Sequence, residues 1–395
     1  MAISEKVAAC IERASWIRKM FEEGARLKKE RGEENVFDFT LGNPTIEPPA
    51  ALTARLKELA ENPVPGMHRY MNNAGYDDTR AAVAARLAAD SGKTVQKEQI
   101  IMTCGAGGAL NVALKTILNP GEEVIILTPF FVEYKFYIDN HGGIPIEVTT
   151  DLDTFQPDID RIAAAINDKT RAIILNSPNN PTGVIYPKQT LDALGTLLKK
   201  KEQELGRQIY VISDEPYARL SYDMAVPPVF ASIANSVVVT SHSKDLALPG
   251  ERIGYLAANP EMADVAQFME GAVFCNRVLG FVNAPALMQR LVADLQNESV
   301  DIEIYRHKRD LLYDKLTELG FSTVKPEGGF YFFPRAPIED DIAFVNKAQE
   351  FGILLVPGAG FGAPGFFRIA YCIDDEVIER SLPAWEKLAD AYGLK

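Results

Sequence analysis

Cysteine and histidine are scarce in this chain, four of each in 395 residues, and neither type clusters. Cys10, Cys104, Cys275 and Cys372 have none of the paired spacing of a zinc site, so no metal is expected and the four read as free thiols of a reducing compartment. Cys104 reads as a small buried hydrophobe. His68, His141 and His307 are scattered. No apolar stretch approaches the roughly 20 residues that span a bilayer, which argues against membrane insertion. Positive charge is short as well: the formal net charge is −13 and no Lys/Arg-rich run occurs, so no nucleic-acid partner is expected. The opening Met1-Ala2-Ile3-Ser4-Glu5-Lys6 mixes acidic and basic residues without a continuous apolar core, unlike a secretory signal or a transit peptide. A cytoplasmic location is expected. Internal repeats and low-complexity linkers are missing, and Lys199-Lys200-Lys201 reads as a solvated helix end.

What the chain does contain is a set of polar clusters, each just past a short apolar run. Ala172-Ile173-Ile174-Leu175 precedes Asn179-Asn180-Pro181-Thr182-Gly183, and Ile209-Tyr210-Val211-Ile212 precedes Asp214-Glu215-Pro216-Tyr217. Val237-Val238-Val239-Thr240 precedes Ser241-His242-Ser243-Lys244. Taken as buried strands of an open α/β sheet, the runs deliver three loops to their carboxyl ends, where such sheets bind ligands. The third loop, with Arg252-Ile253-Gly254 eight residues beyond Lys244, has the make-up of a covalent cofactor anchor. An amine such as Lys244 forms a Schiff base (an internal aldimine) with an aldehyde, while Ser241, Ser243 and Arg252 supply donors for a phosphate. Pyridoxal 5'-phosphate carries both groups. A carboxylate at the pyridine nitrogen keeps that ring protonated and able to accept electrons, and Asp214 is the candidate. Tyr217 and Asn180 are candidates to hydrogen-bond the phenolate oxygen. Lys244, once displaced by a substrate amine, becomes base and acid for the proton shift at the α-carbon. His242 reads as a loop side chain.

The succession Asn180-Pro181-Thr182-Gly183, Asp214 to Tyr217, Ser241 to Lys244 and Arg252 to Gly254 resembles the class I/II aminotransferases of the aspartate aminotransferase superfamily (fold type I). The likeness runs almost end to end, from Ser15-Trp16-Ile17-Arg18 and Leu41-Gly42-Asn43-Pro44 through Tyr70 and Gly75 to Phe366-Phe367-Arg368-Ile369. The resemblance implies that Arg368 holds a substrate's α-carboxylate in a bidentate fork. It implies that Gly42 lies against the substrate, where the backbone leaves no room for a side chain. Cys104-Gly105-Ala106-Gly107-Gly108-Ala109-Leu110 would be the phosphate turn, with the Ala106 and Gly107 amides aimed at the phosphate. Phe131 would stack on the pyridine ring, or Phe130 if the register differs by one. Tyr70 would reach the phosphate of the neighbouring subunit, which implies a homodimer with shared active sites.

The likeness loosens at the far end of the substrate pocket. Dicarboxylate-selective members often place an arginine from the second subunit shortly before Asn-Pro-Pro. Here the segment is Arg277-Val278-Leu279-Gly280-Phe281-Val282-Asn283-Ala284-Pro285, so Val278 takes that place and Arg277 is one residue off. Where another subgroup carries a lysine in the phosphate turn, this chain has Gly107. Arg277 is the best available cation for a distal carboxylate, and 2-oxoglutarate is the expected acceptor; Val278 and Ile17 are the apolar alternative.

With 395 residues, 47% of them hydrophobic, the chain can bury more than one core. Val7, Ile11, Ala14, Ile17 and Phe21 recur at helical spacing through Leu27, which predicts an amphipathic helix broken or bent near Ser15-Trp16 and ended by Gly32. Val124 to Leu127 and Ile253 to Ala257 join the three runs above as buried strands. A helix is expected around Asp301 to Leu319, and strands at Gly329 to Phe333 and Ile353 to Val356. The expected fold class is α/β: a mostly parallel central sheet flanked by helices in a large cofactor-binding domain (residues 50–290), with a smaller α+β domain built from residues 1–49 and 291–395. The expected activity is a pyridoxal-phosphate-dependent aminotransferase, aspartate aminotransferase-like, moving an amino group from an L-amino acid to a 2-oxo acid. A carbon–sulfur β-lyase would share Asn180, Asp214, Tyr217, Lys244, Arg252 and Arg368. A non-catalytic ligand sensor on the same fold is the second alternative, and the retained Lys244 counts against it.

Overall fold

The computed structural model describes residues 2–394, apart from the side chains of residues 12–23 and 25. The Ser15–Arg18 motif and Ile17 as a wall of the distal pocket therefore lie outside the described side chains. Helix α1 (Glu5–Arg31) starts where the Ser4 hydroxyl accepts the Val7 amide at 3.2 Å and stops at Gly32, whose φ of 85° suits a residue without a Cβ. It runs as one helix, so the break expected near Ser15-Trp16 does not occur; neither residue removes a backbone donor as proline would.

Strand β1 (Phe37–Asp38), α2 (Ala50–Glu61) and α3 (Asp77–Ser91) lead into an alternation of strands and helices. It runs through β2 (Ile100–Thr103), α4 (Gly105–Ile117), β3 (Glu123–Thr128), α5 (Glu133–Asn140), β4 (Ile144–Thr149) and α6 (Ile159–Ala165). It continues with β5 (Thr170–Asn176), α7 (Lys188–Leu205), β6 (Tyr210–Asp214), β7 (Ser236–Ser241), β8 (Gly254–Ala258), α8 (Val265–Val278) and α9 (Ala286–Ala293). Seven strands form one sheet in the order β2-β8-β7-β6-β5-β3-β4, parallel except that β8 runs antiparallel to both neighbours. All five expected strands of this region occur within a residue or two of the expected limits. β2 and β4 escaped the sequence reading: one is four residues long, and the other is an edge strand with an exposed Ile144.

The runs are apolar at every position because both faces are covered. Ile125, Ile173 and Val211 point to a core shared with Val83 of α3, Ile162 of α6 and Leu191, Leu194 and Leu198 of α7. Their neighbours Val124, Ile126, Ile174 and Ile212 pack with Leu110 and Leu114 of α4 and Phe268 and Ala272 of α8.

The rest of the chain comprises α10 (Ile302–Glu318), β9 (Tyr331–Phe332), α11 (Asp341–Glu350), β10 (Ile353–Leu354), β11 (Val356–Pro357), β12 (Phe367–Ala370) and α12 (Asp375–Ala391). The two expected strands here are short pieces, since β10 pairs with β1 while β11 turns to β12 in a separate sheet of order β11-β12-β9. Phe39, Phe321, Phe344, Phe367 and Trp385 centre a third core, which also takes in Tyr217 and Leu220 from the loop after β6. The β1–β10 pair brings Thr40–Asn43 over the carboxyl edge of the large sheet.

Close approach of β7, β8 and the start of α4 makes one glycine obligatory. A Cβ at Gly254 would lie 2.2 Å from the Thr240 carbonyl oxygen and 3.0 Å from the Gly105 backbone. Gly254→Ala is expected to cost about 2–3 kcal/mol of stability, read as a lowered midpoint in a denaturant titration. An unchanged midpoint would mean that the strands can part without loss.

Candidate active site

Beyond the carboxyl ends of β2, β3, β5, β6 and β7, a cavity of about 420 Å³ is closed on its far side by Thr40–Asn43, Tyr331, Phe361 and Arg368. Gly42, Ala106, Gly107, Phe131, Asn180 and Asp214 line it, together with Tyr217, Ser241, Ser243, Lys244, Arg252 and Arg368. Phe130 is buried behind this wall, so of the two candidate registers it is Phe131 that faces the cavity. Tyr70 and Arg277 are not part of it. Tyr70 is 89% exposed in a shallow depression with Phe281 and Asn283. Arg277, near the end of α8, lies 5.4 Å from the ring centre of Phe274 on the surface.

Asp214 ends β6, and its Oδ2 accepts the Tyr134 hydroxyl at 2.6 Å. Its Oδ1 is buried without a partner among the described residues. Burial pushes this carboxyl up to about 7, with the Tyr134 hydrogen bond working against the rise. Asn176, ending β5, donates to the Asp214 carbonyl at 2.8 Å and accepts the Asn180 amide at 2.7 Å, which ties two loops together.

Lys244 donates to the Gly42 carbonyl at 2.7 Å. Burial pulls its amine down to about 8; Cys372 opposes this, and Arg368 and Arg252 reinforce it. Arg368 reaches from β12 to the Asn180 Oδ1 at 3.1 Å and the Thr40 carbonyl at 2.6 Å. The rings of Tyr331 and Phe361 lie 4.7 and 4.8 Å from its guanidinium and hold that plane in place. The Tyr217 hydroxyl stands 3.2 Å from that of Tyr331, and burial raises its phenol well above the ordinary value.

At the other end of the cavity α4 begins with Gly105, and no side chain caps its first amides. Gly105 has a φ of 75°, and a Cβ there would meet the Arg252 Nη2 at 3.0 Å. Arg252 itself occupies the left-handed region at φ 54° and is steadied by a 2.9 Å bond to the Pro249 carbonyl. Open helix amides facing a guanidinium make an anion site.

Several residues here escaped the sequence reading. Tyr134 could have been found from its spacing, since it lies one helical turn beyond Phe131. Asn176 could have been found as the polar end of an apolar run. Thr40 and Tyr331 gave no signal, because only the small sheets bring them across. Gly42 lines the cavity as expected of a residue lying against a substrate, and a Cβ there would also meet the Tyr331 hydroxyl. Cys104 is half-buried instead of buried, as its Sγ turns towards the Asn283 carbonyl. His242 pairs with Asp245 at 3.2 Å and lines a separate cavity of about 510 Å³ behind the anchor loop. Among the described residues no group of three or more His, Cys, Asp and Glu is placed to hold a metal ion, and no helix is long and apolar enough to cross a membrane.

The family model of aminotransferase class I and II matches residues 34–384. The chain belongs to the class I and II aminotransferases. It is 33% identical over 377 residues to the probable aspartate/prephenate aminotransferase of Thermus aquaticus, covering 92% of this chain and 94% of the relative. An amino transferase from Eubacterium rectale superposes with a TM-score of 0.96 at 39% identity over 99% of each chain. Aspartate aminotransferase from Thermus thermophilus with maleate follows at a TM-score of 0.84 and 27% identity, covering 95% and 98%. The protein is therefore a pyridoxal-phosphate-dependent transaminase of fold type I. Its cavity fits that cofactor: an unpartnered buried carboxylate oxygen suits a protonated ring nitrogen, a buried amine suits the aldehyde, and the α4 amides with Arg252 suit the phosphate.

The same burial dictates a pH dependence. Folding holds the Asp214 carboxyl near 7, whereas the unfolded chain ionises it near its ordinary value. The carboxylate therefore opposes folding increasingly as pH rises from about 4 to 7, and fully above that. Cofactor-free Asp214→Asn is expected to exceed the wild type in stability at pH 8, by on the order of 3 kcal/mol, with the gain shrinking towards pH 4. Pyridoxal phosphate should then stabilise the wild type more than the variant. Equal melting at pH 8 would show that water reaches Asp214.

Proposed function

We propose that this transaminase moves the amino group of an L-amino acid to a 2-oxo acid, with 2-oxoglutarate as acceptor, in two half-reactions within the one cavity. The observation that carries the proposal is the gathering of Lys244, Asp214 and Arg368 around one space, the amine drawn down to about 8 and Asp214 Oδ1 left without a partner. Bound there, pyridoxal phosphate supplies an electrophilic carbon and a ring that takes up electrons from the substrate's α-carbon. Asp214 Oδ1 holds the proton on the ring nitrogen, and Tyr134 keeps the carboxylate turned towards it. Tyr217 and Asn180 donate to the ring oxygen, and Phe131 covers the ring. Ser241, Ser243, Arg252 and the amides of Ala106 and Gly107 receive the phosphate. Arg368, already aligned by Asn180 and Thr40, receives the α-carboxylate. Lys244 anchors the cofactor and, as a free amine neutral in part near pH 8, takes and returns the proton at the α-carbon.

The bonds from Lys244 to Gly42 and from Arg368 to Asn180 support a division of labour between residues 50–290 and a second body formed by residues 1–49 and 291–395. A homodimer belongs to the same proposal, since exposed Tyr70, Phe274 and Val278 suit a face covered by a second copy. Tyr70 then completes the partner's phosphate site, and Arg277 of the partner subunit takes a distal carboxylate. A cytoplasmic setting would keep the four thiols reduced.

Borohydride treatment of the holoenzyme should fix the cofactor's mass on the Lys244 peptide. Lys244→Ala should lose amino transfer while retaining some cofactor. In the cofactor-free wild type, capture should quicken as pH passes about 8, where a solvated lysine would need about 10.4. Label on another lysine would overturn the anchor.

Mixing Tyr70→Phe and Lys244→Ala subunits should restore one largely native site in each hybrid dimer, measured as activity above the sum of the parents. An active monomer in sedimentation at assay concentration would remove the shared site.

A further inference from the structure

Under the proposed function, Lys244, Arg252, Arg368 and Asp214 are all committed to the cofactor and to the substrate's amine and α-carboxylate. One charged side chain in the cavity wall has no such duty. Glu133 opens α5, half-buried, and no cation pairs with it among the described residues. Burial holds its carboxyl above the ordinary range, with nothing to draw it back.

Tyr137, one turn further along α5, lines the same wall. Its hydroxyl lies 3.2 Å from where a Cβ on Gly107 would stand, so the space that a side chain from the phosphate turn would enter is held by a neutral phenol. Burial first, then the nearby Glu133, push that phenol up to about 12, with Arg252 opposing. Residues four apart share one helix face, so carboxyl and phenol act on the same region. Arg277 stands outside the cavity of its own chain.

We infer that Glu133 and Tyr137 form the subsite for the substrate's side chain and rank amino acids bearing a carboxamide there above those bearing a second carboxylate. This deepens the proposed function and rests on it. The two groups complement an amide: its NH₂ donates to the Glu133 carboxylate, and its oxygen accepts from the Tyr137 hydroxyl. A carboxylate in that position keeps the phenol as donor but faces a like charge in a partly desolvated wall. Where Arg277 of the partner subunit reaches this region, Glu133 offsets part of its charge, so a dicarboxylate such as 2-oxoglutarate is still taken but ranks below the corresponding carboxamide.

The test uses holoenzyme and Glu133→Gln, with asparagine against aspartate and glutamine against glutamate as donors and pyruvate as the common acceptor. Calorimetric titration with succinamate and succinate, which carry no amino group to transfer, reads the same selectivity without turnover. The wild type is expected to favour each amide in kcat/KM, and succinamate in Kd, by about tenfold or more, and Glu133→Gln to shift every ratio about tenfold towards the acid, mainly through KM. Tyr137→Phe should weaken the amides without a matching gain for the acids. Ratios in Glu133→Gln within about twofold of the wild type, or a wild type that prefers the acids, would overturn the inference. Each ratio is internal to one protein, so poor folding or partial cofactor loading does not imitate the shift. Failure of all donors, alanine included, in unreduced enzyme loaded with cofactor would strike the aminotransferase reading itself; normal turnover with unshifted ratios strikes only the subsite.

Discussion

A parallel sheet covered on both faces has nowhere to keep polar groups except the ends of its strands, and this constraint organises the molecule. Along β3, β5, β6 and β7 the side chains are spent on two cores, one under α3, α6 and α7 and the other under α4 and α8. Polar chemistry begins where each strand runs out, at Asn176, Asp214 and Ser241. Because the strands are in register and adjacent, three loops distant in sequence converge on one volume. The helix that follows β2 adds its open amino end to the same place.

Burial then acts on the groups gathered there in opposite senses. It raises a carboxylic acid and lowers an amine, so Asp214 and Lys244 approach each other from ordinary values far apart and arrive at about 7 and about 8. A shift of this kind does not by itself mark a working group. Glu215, next to Asp214, rises to about 7 for the same reason, yet it points across the sheet into the cavity behind the anchor loop and is held by Ser213. What distinguishes Asp214 is geometry: one oxygen secured by Tyr134, the other free, in the cavity that also holds Lys244.

The bonds that close the cavity come from segments outside the large sheet. Gly42 and Thr40 offer carbonyls to Lys244 and Arg368, and Arg368 returns to Asn180 on the large sheet. Tyr331 is central to this closure, since it packs against Arg368, approaches Tyr217 and leaves no space for a side chain at position 42. The site is therefore a junction, and its polar groups are oriented by contacts made across it.

Apolar runs followed at once by polar clusters were legible in the sequence, because strand burial imposes continuity of hydrophobic residues and a strand end imposes a change. That pattern identified β5, β6 and β7, and with them Asn180, Asp214, Tyr217, Ser241, Ser243 and Lys244 as members of one site, while β3 and β8 were legible from their apolar runs alone. Gly32 as a helix stop was legible for a similar local reason, since its φ of 85° suits few other residues. Tertiary structure alone decided the rest. Whether Phe130 or Phe131 faces the cavity depends on how α5 leaves β3. Tyr331 and Thr40 reach the site only because β9 pairs with β12 and β1 with β10, the latter a pairing between segments hundreds of residues apart. Glu133 and Tyr137 were equally hidden, because nothing in their local sequence marks them and only the fold turns that face of α5 towards the cavity. Local pattern records how much of a residue is buried, and only the packing of distant segments determines what it is buried against.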